Sequence, residues 1–143
     1  MANPTLKTYS PDKVIITVGA HVVTGVGPDT FLTIEAMTDG VTSEAGAYGD
    51  IARAMSLDTR HEITITLQQT SDSNVVLSGL YQADRVSGGN GVFPVLITDL
   101  RGTTVFGGQG WVRKQATSTF AAGLEAKEWV IEAMGEYVSG GNQ

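Results

Sequence analysis

The stretch His61-Glu62-Ile63-Thr64-Ile65-Thr66-Leu67-Gln68 decides the fold. In an extended chain Ile63, Ile65 and Leu67 point one way, and Glu62, Thr64, Thr66 and Gln68 point the other. Strict alternation held this long predicts a half-buried strand: an apolar face for a core, and a polar face bearing a carboxylate, two hydroxyls and an amide. Residues 125–134 repeat the pattern near the C-terminus, where Trp129, Ile131 and Ala133 alternate with Glu128, Val130 and Glu132.

Working outward, residues 31–37 read as a strand with Leu32 and Ile34 on one face and Thr33 and Glu35 on the other. Upstream, the β-branched run 13–18 turns at Gly19-Ala20 into 21–24, a tight opening hairpin. Between the strands lie residues 38–49, a long inter-strand loop of Gly, Ala, Ser and Thr without apolar periodicity, followed by a weakly patterned strand at 50–57. Downstream, Ser71 or Asp72 caps the one helix, expected over 72–85, with Val76, Leu77, Leu80 and Tyr81 as its apolar stripe. Strands at 93–98 and 103–106 flank the turn Asp99-Leu100-Arg101-Gly102. Gly107-Gly108-Gln109-Gly110 breaks the pattern, and 111–115 resumes it. Residues 1–12 form an N-terminal arm, and residues 135–143 a polar, mobile tail. One short helix cannot cover both faces of such a sheet. The expectation is therefore a mainly β fold, a small β-barrel or sandwich with one flanking α-helix.

The 143 residues suit one domain with one core. There is no cysteine, which excludes a disulfide framework, a thiolate metal site and a cysteine nucleophile; assembly in a reducing cytoplasm is the expectation. Residues 1–10 lack an apolar run, so no signal peptide is expected, and no stretch is apolar enough to span a membrane. The net charge of −6 and scattered basic residues argue against tight nucleic-acid binding.

No constellation for catalysis stands out. His21 and His61 lie on predicted strands outside any metal or triad pattern, and read as ordinary strand histidines. The segments 88–91 and 107–110 are rich in glycine, but each precedes a strand and lacks the helix N-terminus of a phosphate loop; turns and bulges are the expected reading. Glu128 and Glu132 share a strand face about 13 Å apart, too far for a glycosidase pair. No catalytic residue, cofactor or metal is expected.

Other residues carry a resemblance. Leu6-Lys7-Thr8-Tyr9-Ser10-Pro11-Asp12-Lys13-Val14 followed by Val18-Gly19, and Ile65-Thr66-Leu67-Gln68-Gln69-Thr70-Ser71-Asp72-Ser73-Asn74 ahead of Val76-Leu77, resemble the tail tube proteins of contractile-tailed bacteriophages. So does Trp129 within its Glu-rich strand. The resemblance covers most of the chain and rests on features of fold and assembly. It implies a fold similar to the type VI secretion tube protein, with hexameric rings stacked into a hollow tube that conducts DNA. Under that resemblance Glu35, Glu62, Thr64, Thr66, Gln68, Glu128 and Glu132 become lumen-facing residues. The loop with Thr38, Asp39, Glu44, Tyr48 and Asp50, the N-terminal arm and the C-terminal tail become contacts between rings. Partners would be other copies of the chain, the tail sheath, tape measure, baseplate and tail terminator, in a virion assembled in the host cytoplasm. DNA would pass without specific binding, and no membrane partner is implied. Two alternatives stay open: a ligand-binding β-barrel module, and the tube of a phage-derived bacteriocin or type VI-like system. A small enzyme or chaperone domain is disfavoured by the lack of catalytic residues.

Overall fold

A computed structural model describes residues 4–142. In chain order its elements are β1 (Val14–Val18), β2 (His21–Val22), β3 (Leu32–Ala36), β4 (Val41–Ala45), β5 (Ile51–Met55), β6 (Arg60–Leu67), α1 (Ser73–Ser87), β7 (Phe93–Asp99), β8 (Val105–Lys114) and β9 (Lys127–Val138). Seven of the strands form one antiparallel sheet in the order β2-β1-β7-β8-β9-β6-β3. The sheet curls into a half-barrel, giving the mainly β architecture with a flanking helix that the alternation predicts.

The alternation of β6 is realised directly, whereas in β9 the five residues Trp129 to Ala133 are all buried, Val130 and Glu132 on the face away from the core. Ile63, Ile65 and Leu67 are fully buried, and the register sets Ile63 opposite Ile131 and Ile65 opposite Trp129. Ile16 and Val18 of β1, Val95 and Ile97 of β7, and Phe106 and Val112 of β8 complete that side of the core. Burying each of these side chains stabilises the fold by about 1.5–3 kcal/mol. The helix α1 covers the same side, packing against β8 and inserting the fully buried Leu77.

Polar side chains fix the helix entry. Ser71 Oγ accepts from Ser73 N–H at 3.2 Å and donates to the Thr24 carbonyl at 2.5 Å. Asp72 occupies the N-cap position without a side-chain capping bond, so Ser71 is the residue that satisfies the helix start. Asn74 donates to the carbonyls of Gln68 and Ser71, both at 3.0 Å, and its Oδ1 accepts from Trp129 Nε1 at 2.9 Å. This buried bond ties the helix to β9. The helix runs to Ser87, two residues beyond expectation, and ends where Gly88 adopts φ 73°.

Three expectations are corrected. Residues 107–110 do not break the pattern, because β8 runs unbroken through them. The glycines permit close approach between strands: a Cβ on Gly108 would lie 2.2 Å from the Met134 carbonyl oxygen, and one on Gly135 2.2 Å from that of Gly107. The C-terminal tail is not a loose end. Strand β9 extends to Val138, Gly141 O accepts from Thr103 N–H at 3.0 Å, and Gly140 O accepts from Thr104 Oγ1 at 2.8 Å; Gln143 lies outside the described residues. The segment 38–49, expected as a structureless loop, has strand structure of its own, and the strand expected at 50–57 is present as β5. Residues 41–45 pair with β5 as a separate two-stranded hairpin. Of the N-terminal arm, residues 1–3 lie outside the described residues; the next seven are irregular, and a 3-10 turn at Pro11–Lys13 leads into β1.

Candidate functional site: a polar sheet face and an exposed hairpin

The side of the sheet away from the core carries the polar half of each alternation. Register places Glu35 of β3 opposite Glu62 of β6, Glu62 opposite Glu132 of β9, and Glu132 opposite Trp111 of β8. Thr33, Thr64 and Val130 form the next row, and Thr66 faces Glu128 in the row beyond. Six of the seven residues expected on a common polar face, Glu35, Glu62, Thr64, Thr66, Glu128 and Glu132, are thereby brought together on one surface. Gln68 lies just past the end of β6 and is exposed; its backbone N–H donates to Gly25 O at 2.7 Å.

Three carboxylates side by side repel one another, and directly opposed like charges destabilise a sheet. Arg113 offsets this. Its guanidinium lies 3.1 Å from Glu62 and 3.4 Å from Glu132, while Arg60 approaches Glu132 at 3.9 Å. A bulge lies beside it, between Val112 and Lys114. Arg113 shares the outward parity of Trp111 and reaches the glutamates, and the residue added by the bulge sets Lys114, paired with Val130, on the same face as well. Plain alternation from Trp111 places Arg113 on this face but sends Lys114 to the core side; the bulge is what brings Lys114 across. The one available signal was that Arg113-Lys114 is the single adjacent basic pair of the chain.

At the start of β6, Asp58 accepts two bonds from Arg60 Nε, at 2.9 and 3.1 Å, and one from Nη2 at 2.8 Å. The guanidinium holds the Asp58 carboxyl down at about 2. This clamp fixes the segment joining the hairpin to the sheet.

The hairpin β4–β5 is the second feature. Every residue in both strands is exposed. Thr38, Asp39, Glu44, Tyr48 and Asp50, expected in a contact loop, all lie on this projecting arm and are exposed, Tyr48 at 99%. Ile51 at 73%, Met55 at 69% and Leu57 at 94% are exposed as well. A lone two-stranded hairpin is marginal in water, and exposed apolar side chains clustered on one arm mark a contact surface. Loop composition drew attention to the polar residues of this arm and missed the apolar ones.

The histidines sit in structural settings. His21 Nε2 lies 2.8 Å from Ser73 Oγ, and His61 packs edge-on against Phe106 and Tyr137 with ring centroids 5.2 and 5.5 Å away. Among the described residues no group of three or more His, Asp or Glu side chains is placed to hold a metal ion. Gly88-Gly89 lies in the loop after the helix, and 107–110 lies within a strand, so neither cradles a phosphate before a helix start.

No family model matches the chain. At the sequence level it is similar to Structural protein ORF10 of Pseudomonas phage KPP10, at 29% identity over 145 residues, covering 95% of this chain and 84% of that protein. In fold it is similar to the anti-feeding prophage cap (AFP tube terminating cap), with a TM-score of 0.55 and 12% sequence identity, over 100% of this chain and 97% of the other. A phage structural protein and a cap that terminates a tube thus stand beside the resemblance drawn from the residues themselves.

Proposed function

We propose that this chain is a structural subunit of a phage tail, and specifically that it forms the tail tube: hexameric rings stacked into a hollow conduit for DNA. The exposed β4–β5 hairpin carries this reading, because it cannot satisfy its apolar side chains within its own subunit. Similarity to a phage structural protein along nearly the whole chain supports it. In the tube the polar face with Glu35, Glu62, Thr64, Thr66 and Glu128 lines the channel. Arg113 and Arg60 partly neutralise Glu62 and Glu132, while Glu35 and Glu128 make no ion pair among the described residues and contribute the field that repels DNA phosphates. The N-terminal arm and the hairpin make contacts between rings, and α1 lies outward toward the sheath. The subunit acts by assembling, with no catalysed reaction, and its further partners are the tape measure, baseplate and tail terminator.

The likeness in fold to a tube terminating cap favours a second reading, a ring that ends a tube instead of extending it. Negative-stain electron microscopy of the concentrated protein separates the two. Hollow filaments of uniform width support the tube, and closed rings that never stack support the cap. A monomer at every concentration, even when offered preformed tail ends, refutes both.

A further inference from the structure

We infer that the hairpin of one copy seats on a second copy, on the apolar half of its sheet face away from the core, with Arg53 paired to Glu136. This rests on the assembly reading above and names the surfaces that meet.

Cross-strand register makes the hairpin two-faced. Val41 opposes Met55, Ser43 opposes Arg53, and Ala45 opposes Ile51, so one face is apolar with a single cation at its centre. The other face carries Thr42, Glu44, Ala52 and Ala54. Within its own subunit the apolar face touches nothing that buries it.

The receiving surface lies on the sheet side away from the core, beyond the glutamate row. Ile15 of β1, Thr98 of β7, Val105 of β8 and Val138 of β9 form one row there, and Thr17, Leu96, Gly107 and Glu136 form the next. Leu96 is 50% exposed and Val138 52%. The surface is thus an apolar patch with one carboxylate in it, the counterpart of an apolar hairpin face with one cation. Neither Arg53 nor Glu136 makes an ion pair among the described residues.

Size and charge agree. Four adjacent strands span about 14 Å, and so do five residues of a strand, so the hairpin covers the patch without overhang. The remaining charges of the hairpin region, Asp39, Glu44, Asp50 and Asp58, are acidic. They keep the hairpin off the glutamate-bearing half of the same face and leave that half uncovered. A contact between different surfaces of identical subunits is heterologous, and it propagates unless rotation closes it.

The test is charge reversal in the full chain, with assembly read by sedimentation velocity and electron microscopy and folding by circular dichroism. Arg53→Glu and Glu136→Arg, both at exposed positions, leave the monomer folded, and each raises the concentration needed for assembly at least tenfold. The double variant Arg53→Glu/Glu136→Arg restores assembly to within about threefold of the parent. Single variants that assemble like the parent, or single defects that the double variant fails to restore, overturn the seat while leaving the tube or cap reading in place. A parent chain that never assembles removes that reading, and this inference with it.

Discussion

Replacing Arg113 by Met removes the cation between Glu62 and Glu132 and keeps most of the side-chain bulk. Glu132 is only 12% exposed at its side chain, whereas Arg113 and Glu62 are each 37% exposed. Exposed ion pairs are worth about 0.2–1 kcal/mol, and breaking a buried pair costs about 3–5 kcal/mol. This site lies between those limits, and Arg60 remains as a weak second partner at 3.9 Å, so a loss of about 1.5 kcal/mol is expected. That corresponds to a drop of about 3–6 °C in Tm for a chain of this size. Urea unfolding of dilute monomer, followed by tryptophan fluorescence, measures it. The informative quantity is the cycle with Glu62→Gln. In the parent background that change removes a favourable pair and destabilises; in the Arg113→Met background it relieves repulsion and becomes neutral or stabilising. The expected coupling is about 1 kcal/mol, shrinking in 1 M salt, where the screening length falls to about 3 Å. Additive effects, or a coupling indifferent to salt, refute the argument that Arg113 stabilises the sheet by separating like charges.

Other outcomes follow from the packing and the clamp. Gly108→Ala drives a methyl into the backbone of β9 and costs about 3 kcal/mol or prevents folding, seen as loss of soluble expression and of the β signal in circular dichroism. Trp129→Phe leaves Asn74 Oδ1 without its buried donor and costs about 1–2 kcal/mol in denaturant unfolding. Asp58 has a folded value near 2, below that of a free aspartate at about 3.9; its contribution is complete above pH 4 and is lost as pH falls toward 2. The Arg60 Nε–H resonance should therefore hold its position from pH 7 to 4 and move between 4 and 2, and Asp58→Asn should abolish that movement. Deleting residues 40–56 and bridging the ends with two glycines should leave the Tm of the monomer unchanged within about 2 °C, because the hairpin buries nothing in its own subunit, while abolishing assembly.

What could be read in advance depended on whether a strand had contrast between its faces within one subunit. In β6 buried core residues alternate with more open ones, so Ile63 and Ile65 declare their side in the linear order; Trp129 and Ile131 of β9 do so by residue type, although Val130 and Glu132 beside them are buried too. In β4 every residue is exposed, so Val41-Thr42-Ser43-Glu44-Ala45 offers no contrast until it is paired with β5. The glycines of β8 read as a break because propensity counts side chains, whereas here the missing Cβ atoms are what let β8 and β9 approach. The face of Lys114 was hidden by the bulge, since alternation assumes that no residue is inserted. The closing residues 139–142 have a loop composition but lie against residues 102–104 through backbone bonds, which composition does not reveal.

The isolation of the hairpin also bears on timing. An arm that is marginal by itself must be ordered at the moment it docks, and that ordering is subtracted from the free energy of the first contact. Two free subunits meeting in solution bear this cost for a single interface. In the proposed assembly a subunit arriving at a finished ring would meet several interfaces at once, and the same cost would be divided among them. If the subunit assembles as proposed, growth from an existing end is thereby favoured over spontaneous initiation, and the chain stays unassembled until something supplies the first ring.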